Sequence, residues 1–146
     1  MHYTIYLSGE IHSSWRDEIK QGCEDANLPI TFLSALDDHE ASDDAGDVLG
    51  VEEKAFWKDH KSAKINVLRT KTMINKADIV IIRFGEKYKQ WNVAFDAGLC
   101  TALNKSYITL HSEQLTHPLK EVDAAALAVA TETSQIVEIL KYTMRD

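Results

Sequence analysis

The chain has 146 residues, 45% of them hydrophobic and 27% charged, the size and composition of one globular domain with a full core. Its formal net charge of -7 excludes the basic footprint of a nucleic-acid groove and gives no attraction to an anionic membrane surface. A small ligand, neutral or weakly charged, is left open, as is a locally basic pocket for a phosphate.

Apolar, β-branched runs alternate with helical stretches along the whole chain. Tyr3 to Leu7 reads as the first strand and ends in Ser8-Gly9-Glu10-Ile11-His12. Ser13 and Ser14 are helix-capping residues, with Ser14 and Asp17 at capping-box spacing, and the helix runs to about Asn27, before Pro29. Ile30–Leu33 is the second strand. Leu36 to Trp57 is a long acidic segment carrying Asp37, Asp38, Glu40, Asp43, Asp44 and Asp47. It leaves the sheet at a carboxyl end, so it reads either as a lid or as a solvated charged loop, and it lacks the spacing of a calcium loop. A helix over Ser62–Asn75 precedes the third strand, Ile79–Ile82, and a helix over Trp91–Asn104 follows it. The fourth strand is Tyr107–Leu110, a short helix follows Pro118, the fifth strand is Leu127–Ala130, and Thr133–Met144 is the last helix.

Short, nearly unbroken apolar strands between helices predict a parallel sheet covered on both faces. Right-handed crossovers make it a doubly wound α/β fold of the flavodoxin or Rossmann-like kind, with five strands in the order 2-1-3-4-5. No repeat, linker or low-complexity tract interrupts it, so residues 1–146 are expected to form a single domain. Cys23 and Cys100 stand far apart in no CxxC pattern, too few ligands for structural zinc, and are expected to be buried thiols. Met1-His2-Tyr3-Thr4-Ile5 enters a strand with no basic region before it, and no apolar run approaches the roughly 18 residues of a membrane span. The expected setting is cytoplasmic.

Ligands of such sheets bind beyond the carboxyl ends of the strands, at the point where strand order reverses. For the order 2-1-3-4-5 that point lies between the first and third strands. Ser8 to His12 and Arg83 to Trp91 therefore face the expected site, with His111 and Ser112 beyond strand four. Asp78 stands at the opposite end and reads as a turn carboxylate. A response-regulator receiver needs acids after strand one and an Asp at the end of strand three, but Ser8-Gly9 and Arg83 stand there. The Ser/Thr-rich phosphate loop of a flavodoxin and the GxGxxG dinucleotide motif are also missing, and no metal or cofactor is expected.

The helix after strand three carries Phe95, Leu99, Ala102 and Leu103 as an apolar stripe. Asn92 and Asp96 are four apart and share a face, with Asp96 at the margin of the stripe and in the early turns, where the helix dipole favours a carboxylate. On these grounds Asp96 is either a nucleophile at the mouth of the sheet or a helix-terminal acid that caps or pairs with a Lys. Gly98 is expected to let the helix approach its neighbours closely.

Ile5-Tyr6-Leu7-Ser8-Gly9, Ala77-Asp78-Ile79-Val80-Ile81 and Asn92-Val93-Ala94-Phe95-Asp96-Ala97-Gly98-Leu99 together resemble the nucleoside 2-deoxyribosyltransferases. More narrowly, Leu7 to Ser13, Leu28 to Phe32, Asn75 to Asp78, Phe84 to Asn92 and His117 to Glu121 resemble the YtoQ branch of that family. The resemblance spans nearly the whole chain and is most specific at Phe84-Gly85-Glu86-Lys87-Tyr88-Lys89-Gln90-Trp91-Asn92. It implies a metal-independent glycosyl transfer with retention, in which a carboxylate attacks the anomeric carbon of a 2-deoxyriboside and the base leaves. It also implies a homo-oligomer. Asp96 matches the family's Glu nucleophile and Tyr6 its strand-one tyrosine. Gln90 and Thr70 stand where the parent family has acids, so Glu10 and Glu86 become the candidate proton donors, with Asp59 a more distant one. Tyr6, Tyr88 and Trp91, together with Trp15 and Phe84, are candidates to sandwich a base; Trp15 and Phe84 read equally well as core. Gly9, Ser13, Gln90 and Asn92 complete the expected substrate-binding set, and Arg16, beside the Ser13-Ser14 helix start, is placed to hold a 5′-phosphate or to be a surface arginine. The implied function is a nucleoside or deoxynucleotide 2-deoxyribosyltransferase or N-glycosidase; the alternative is a non-catalytic module that binds a nucleoside-like ligand in the same pocket.

Overall fold

The computed structural model describes residues 1–145. Strands β1 (Tyr3–Gly9), β2 (Ile30–Ser34), β3 (Ile79–Arg83), β4 (Ser106–Leu110) and β5 (Ala128–Ala130) form one five-stranded sheet in the order β2-β1-β3-β4-β5. Every pairing is parallel. This is the expected doubly wound α/β fold with the expected strand order.

Alternation along β1 divides the core in two. Ile5 and Leu7 point to one face and pack with Trp15, Ile19 and Cys23 of helix α1 (Trp15–Asp25) and with Ile136 and Leu140 of helix α6 (Thr133–Thr143). Tyr6 points to the other, with Ile74 of helix α3 (Ala55–Lys76) and Val93, Ala97 and Cys100 of helix α4 (Trp91–Ala102). Burial on both faces is why the strands read as unbroken apolar runs. Both cysteines are buried free thiols, and burial pushes Cys23 up to about 11 and Cys100 to about 12.

Three expectations need correction. The Ser14–Asp17 capping box does not form, because the Ser14 hydroxyl donates to the Glu18 carboxylate at 2.7 Å and leaves the first-turn amides uncapped. Helix α3 begins at Ala55, seven residues before Ser62, so it absorbs the end of the acidic segment. Gly98 makes no close packing: a side chain there would meet open space.

The rest of the acidic segment is folded. It holds a short helix α2 (His39–Asp43), capped by the Asp38 carboxylate accepting from Ala41 N at 3.1 Å, and a 3-10 turn over Ala45–Leu49. Helix α3 binds it down. Ser62 Oγ donates to the Asp43 carbonyl at 2.6 Å and accepts from Gly46 N at 3.0 Å. Asn66 Nδ2 donates to the Ser42 carbonyl at 3.0 Å. Gly46 has no room for a side chain, since a Cβ would lie 2.6 Å from the Lys61 Cβ. Lys58 pairs with Asp44 and Lys61 with Glu52, each at 2.5 Å, which offsets part of the acidic run's self-repulsion. No described helix is long and apolar enough to cross a membrane.

Helix α5 (Lys120–Ala125) is fastened to β4 by side chains. Its Asp123 accepts from Thr109 Oγ1 at 2.8 Å and lies 2.8 Å from Nε2 of the buried His111. The other nitrogen of His111, Nδ1, lies 2.7 Å from the Ser112 carbonyl. His111 is therefore a fastening between β4 and α5 rather than a group turned toward a ligand.

Candidate functional site

The strand-order reversal between β1 and β3 opens a cleft at their carboxyl ends. Gly9 makes the opening possible. It has φ of +134°, and a Cβ there would lie 2.2 Å from the Arg83 carbonyl oxygen. Only glycine lets β1 leave the sheet so close to β3. The cleft has two adjoining chambers that share Gly9, Ala35, Leu36, Ser42, Asn92 and Val93.

The inner chamber, about 330 Å³, is lined further by Tyr6, Asn66, Arg69, Thr70, Phe95 and Asp96. Among the described residues, Asp96 is its lone carboxylate. The side chain sits on the second turn of α4 and turns inward over β1, where Ser8 Oγ donates to Asp96 Oδ2 at 2.6 Å. Burial pushes the carboxyl up to about 6, and the Ser8 hydrogen bond pulls the other way. Burial also raises the Tyr6 phenol, with the nearby Asp96 charge adding to the effect, while Thr70, Arg69 and Arg16 oppose it.

The outer chamber, about 450 Å³, adds Glu10, Ile11, His12, Asp38, His39, Tyr88, Lys89 and Gln90. His12 from the β1–α1 turn stacks on His39 from α2 at a centroid distance of 5.7 Å and meets the tilted Tyr88 ring at 4.8 Å. This aromatic group joins three separate segments. His12 was visible among the residues after strand one, but His39 lies in the acidic segment, where no spacing or periodicity signalled it. Only the folding of that segment against α3 brings it to the cleft.

Glu10, expected as a proton donor, is held as an anion. Its carboxylate accepts from His12 N at 2.6 Å and from the Ser13 hydroxyl. Burial opposes the charge, but these bonds and the Arg83 and Arg16 charges outweigh it and hold the carboxyl below its ordinary value. Ser13 thereby serves the turn and lines neither chamber. The Arg16 guanidinium is likewise spent on the turn, donating to the carbonyls of Leu7 at 3.3 Å, Glu10 at 2.8 Å and Gly9 at 2.9 Å, so it is not an open phosphate site. Trp15 is core, with Nε1 donating to the Glu10 carbonyl at 2.9 Å.

The structure thus brings Tyr6, Gly9, Tyr88, Gln90, Asn92 and Asp96 to one cleft. Gln90 is fixed there, its Oε1 accepting from Gly85 N at 2.7 Å. Glu86 and Trp91 fall on the other side of the Gly85–Gln90 turn, where they line a further hollow with Phe84, Leu115 and Leu119 that shares Tyr88, Lys89 and Gln90 with the outer chamber. Trp91 is 77% exposed there. Asp59 is exposed on the first turns of α3 and lines neither chamber. Among the described residues, no three His, Cys, Asp or Glu side chains gather as a metal site.

Comparison with known proteins shows the family of this chain. The family described as Nucleoside 2-deoxyribosyltransferase YtoQ matches residues 6–144. The chain belongs to the YtoQ family. It is 45% identical over 143 residues to the uncharacterized protein YtoQ of Bacillus subtilis (strain 168), covering 97% of each chain. Two solved structures share the fold. A conserved protein from Enterococcus faecalis V583 superposes with a TM-score of 0.62 at 13% identity, over 99% of this chain and 100% of the other. A 2-deoxyribosyltransferase from Bacillus psychrosaccharolyticus superposes with a TM-score of 0.52 at 16% identity, over 92% and 90%.

Proposed function

We propose that this YtoQ-family protein cleaves the N-glycosidic bond of a 2-deoxynucleoside or its monophosphate, with Asp96 as nucleophile. The observation that carries this reading is Asp96 itself: among the described residues the lone carboxylate of a chamber at the switch point, half-buried, and pushed up by that burial to about 6. At neutral pH it is mostly ionised yet poorly solvated, the state a carboxylate nucleophile needs. The inner chamber takes the sugar and the outer chamber takes the base, against His12, His39 and Tyr88.

In the first step an Asp96 oxygen bonds to the anomeric carbon as the carbon–nitrogen bond breaks. The base leaves with the electron pair and takes up a proton. His12, in the chamber assigned to the base, is the donor that the geometry favours now that Glu10 is tied into its turn and Glu86 lies outside the cleft. Water or a second base then attacks the anomeric carbon, gives its proton to the His12 ring that donated one in the first step, and returns the pair to Asp96.

One observation favours a second reading, a binding module without turnover. Thr70 lines the inner chamber and Gln90 is tied to Gly85, so neither supplies an acid or a charge. A panel of deoxynucleosides and their monophosphates, with and without acceptor base, separates the two. Release or exchange of base, lost by about a thousandfold or more in Asp96→Ala, supports the enzyme. Its kcat/KM falls tenfold per pH unit below about 6, as Asp96 takes up its proton. Binding without base release, unchanged in Asp96→Asn, supports the module. Val67, Leu68 and Phe95 are exposed, and Val67 and Phe95 lie at the inner chamber, which fits a homo-oligomer that covers this side.

A further inference from the structure

Ser8 interrupts the apolar run of β1 at a position with no exposure, opposite Ile82 of β3. A buried hydroxyl is costly unless it is hydrogen-bonded. This one has a single proton to donate, and it gives it to Asp96 Oδ2 at 2.6 Å.

We infer that Ser8 is a positioning residue, whose hydroxyl holds Asp96 by Oδ2, presents Oδ1 to the anomeric carbon, and then holds the carbonyl oxygen of the glycosyl ester. This rests on the reading of Asp96 as nucleophile. Two physical points support it. A carboxylate free to turn presents either oxygen, and a bond to one oxygen selects the other. The same bond stabilises the charged form of a carboxyl that burial otherwise neutralises.

Ser8 neither gains nor loses a proton in the sequence. As Asp96 Oδ1 bonds to the anomeric carbon and the base departs with the carbon–nitrogen pair, Oδ2 becomes the ester carbonyl oxygen and keeps its hydrogen bond from Ser8. When the acceptor attacks, the pair returns to Oδ1, charge returns to Oδ2, and the O–H of Ser8 strengthens its bond to the departing carboxylate. Loss of the hydroxyl therefore slows release of the sugar as well as its capture.

The test follows the Asp96 carboxyl by carbon-13 NMR through a pH titration, its signal assigned by its loss in Asp96→Asn. This needs no substrate. In Ser8→Ala the midpoint rises by on the order of one unit, and Ser8→Thr, which restores the hydroxyl, brings it back. In the base-release assay Ser8→Ala lowers kcat by about tenfold or more with little change in KM, and the acid limb moves with the NMR midpoint. Ser8→Cys, a weaker donor of similar volume, takes the place of Ser8→Ala if that variant does not fold. A folded variant whose midpoint stays put or falls overturns the proposal, as does a kcat that does not change. Base release that persists in Asp96→Asn instead overturns the reading of Asp96 as nucleophile, and the two failures are told apart because the titration is read without turnover.

Discussion

The turn after β1 and the second turn of α4 each bring one carboxylate to the carboxyl edge of the sheet, and the two are treated oppositely. On the turn, Glu10 meets His12 N, the Ser13 hydroxyl and the charges of Arg83 and Arg16, so it stays an anion despite burial. On α4, Asp96 is half-buried with, among the described residues, the single Ser8 hydroxyl as hydrogen-bond partner, and its pKa climbs to about 6. Partners, rather than depth alone, decide which acid holds the backbone and which is left reactive. The well-partnered carboxylate is structural; the under-partnered one is where the chemistry is proposed.

The comparison breaks most severely if the backbone that separates the two acids is disturbed. Gly9→Ala places a Cβ 2.2 Å from the Arg83 carbonyl at a φ of +134°, so strain and clash act together. The expected loss is about 3 kcal/mol or more in urea denaturation. A loss under about 1 kcal/mol would mean that the β1 exit can move away from β3.

Asp96→Asn sharpens the contrast by removing the reactive acid's cost. The folded carboxyl titrates at about 6 against 3.8 for the ordinary group. Between those values the native state binds more protons than the unfolded chain, so this group adds stability as the pH falls through 6 and takes it away as the pH rises. At pH 7 the Asn variant is expected to be the more stable by about 2 kcal/mol, while base release is lost. The gain shrinks toward zero near pH 4. An Asn variant less stable than the native chain at pH 7 would place the cost of Asp96 elsewhere.

Much of this is legible in the sequence. Apolar runs at Tyr3–Leu7, Ile79–Ile82 and Tyr107–Leu110 announce buried parallel strands because both faces are covered, and strand order then locates the cleft. Asp96 and Asn92 were reachable from helical spacing, since both depend on one regular element. What was not legible depends on contacts between segments remote in sequence. His39 reaches the cleft only because Ser62 and Asn66 of α3 bind α2 down. Glu10 looked like a free acid because nothing in its spacing shows that its own turn folds back on it. Trp91 looked like a base-stacking residue, but a helix start has two sides, and its indole falls on the outer one. The Ser8 bond joins residues 88 positions apart.

Glu10→Gln tests the structural half of the comparison. The substitution keeps the shape and removes the charge that two donors and two arginines serve. It is expected to destabilise the protein at neutral pH by about 1–2 kcal/mol. The sign of the pH dependence is opposite to that of Asp96. A carboxyl held below its ordinary value adds stability above the unfolded value of 4.5 and loses it as the pH falls through the folded one. The gap between Glu10→Gln and the native chain therefore closes below about pH 4.5, and the stability differences of the two variants from the native chain slope in opposite senses against pH. A Gln variant whose deficit is constant from pH 7 to pH 3 would mean that shape, not charge, holds the turn.

The smallest expected effect is at Trp91. It stands only one residue before Asn92 of the cleft, yet its indole is 77% exposed and faces the hollow beyond the Gly85–Gln90 turn. Its visible contact is Lys89, whose ammonium lies 5.8 Å from the ring, a solvated arrangement of little energetic weight. Trp91→Ala is expected to change stability by less than about 0.5 kcal/mol and to leave nucleoside binding within about twofold. Tyr88→Ala, one wall of the outer chamber, should instead weaken binding by about tenfold while leaving stability nearly as it was. If Trp91→Ala weakens binding as much as Tyr88→Ala does, then the Gly85–Gln90 turn closes over the ligand and carries the indole into the cleft. The division between the two sides of that turn would then describe the empty protein alone.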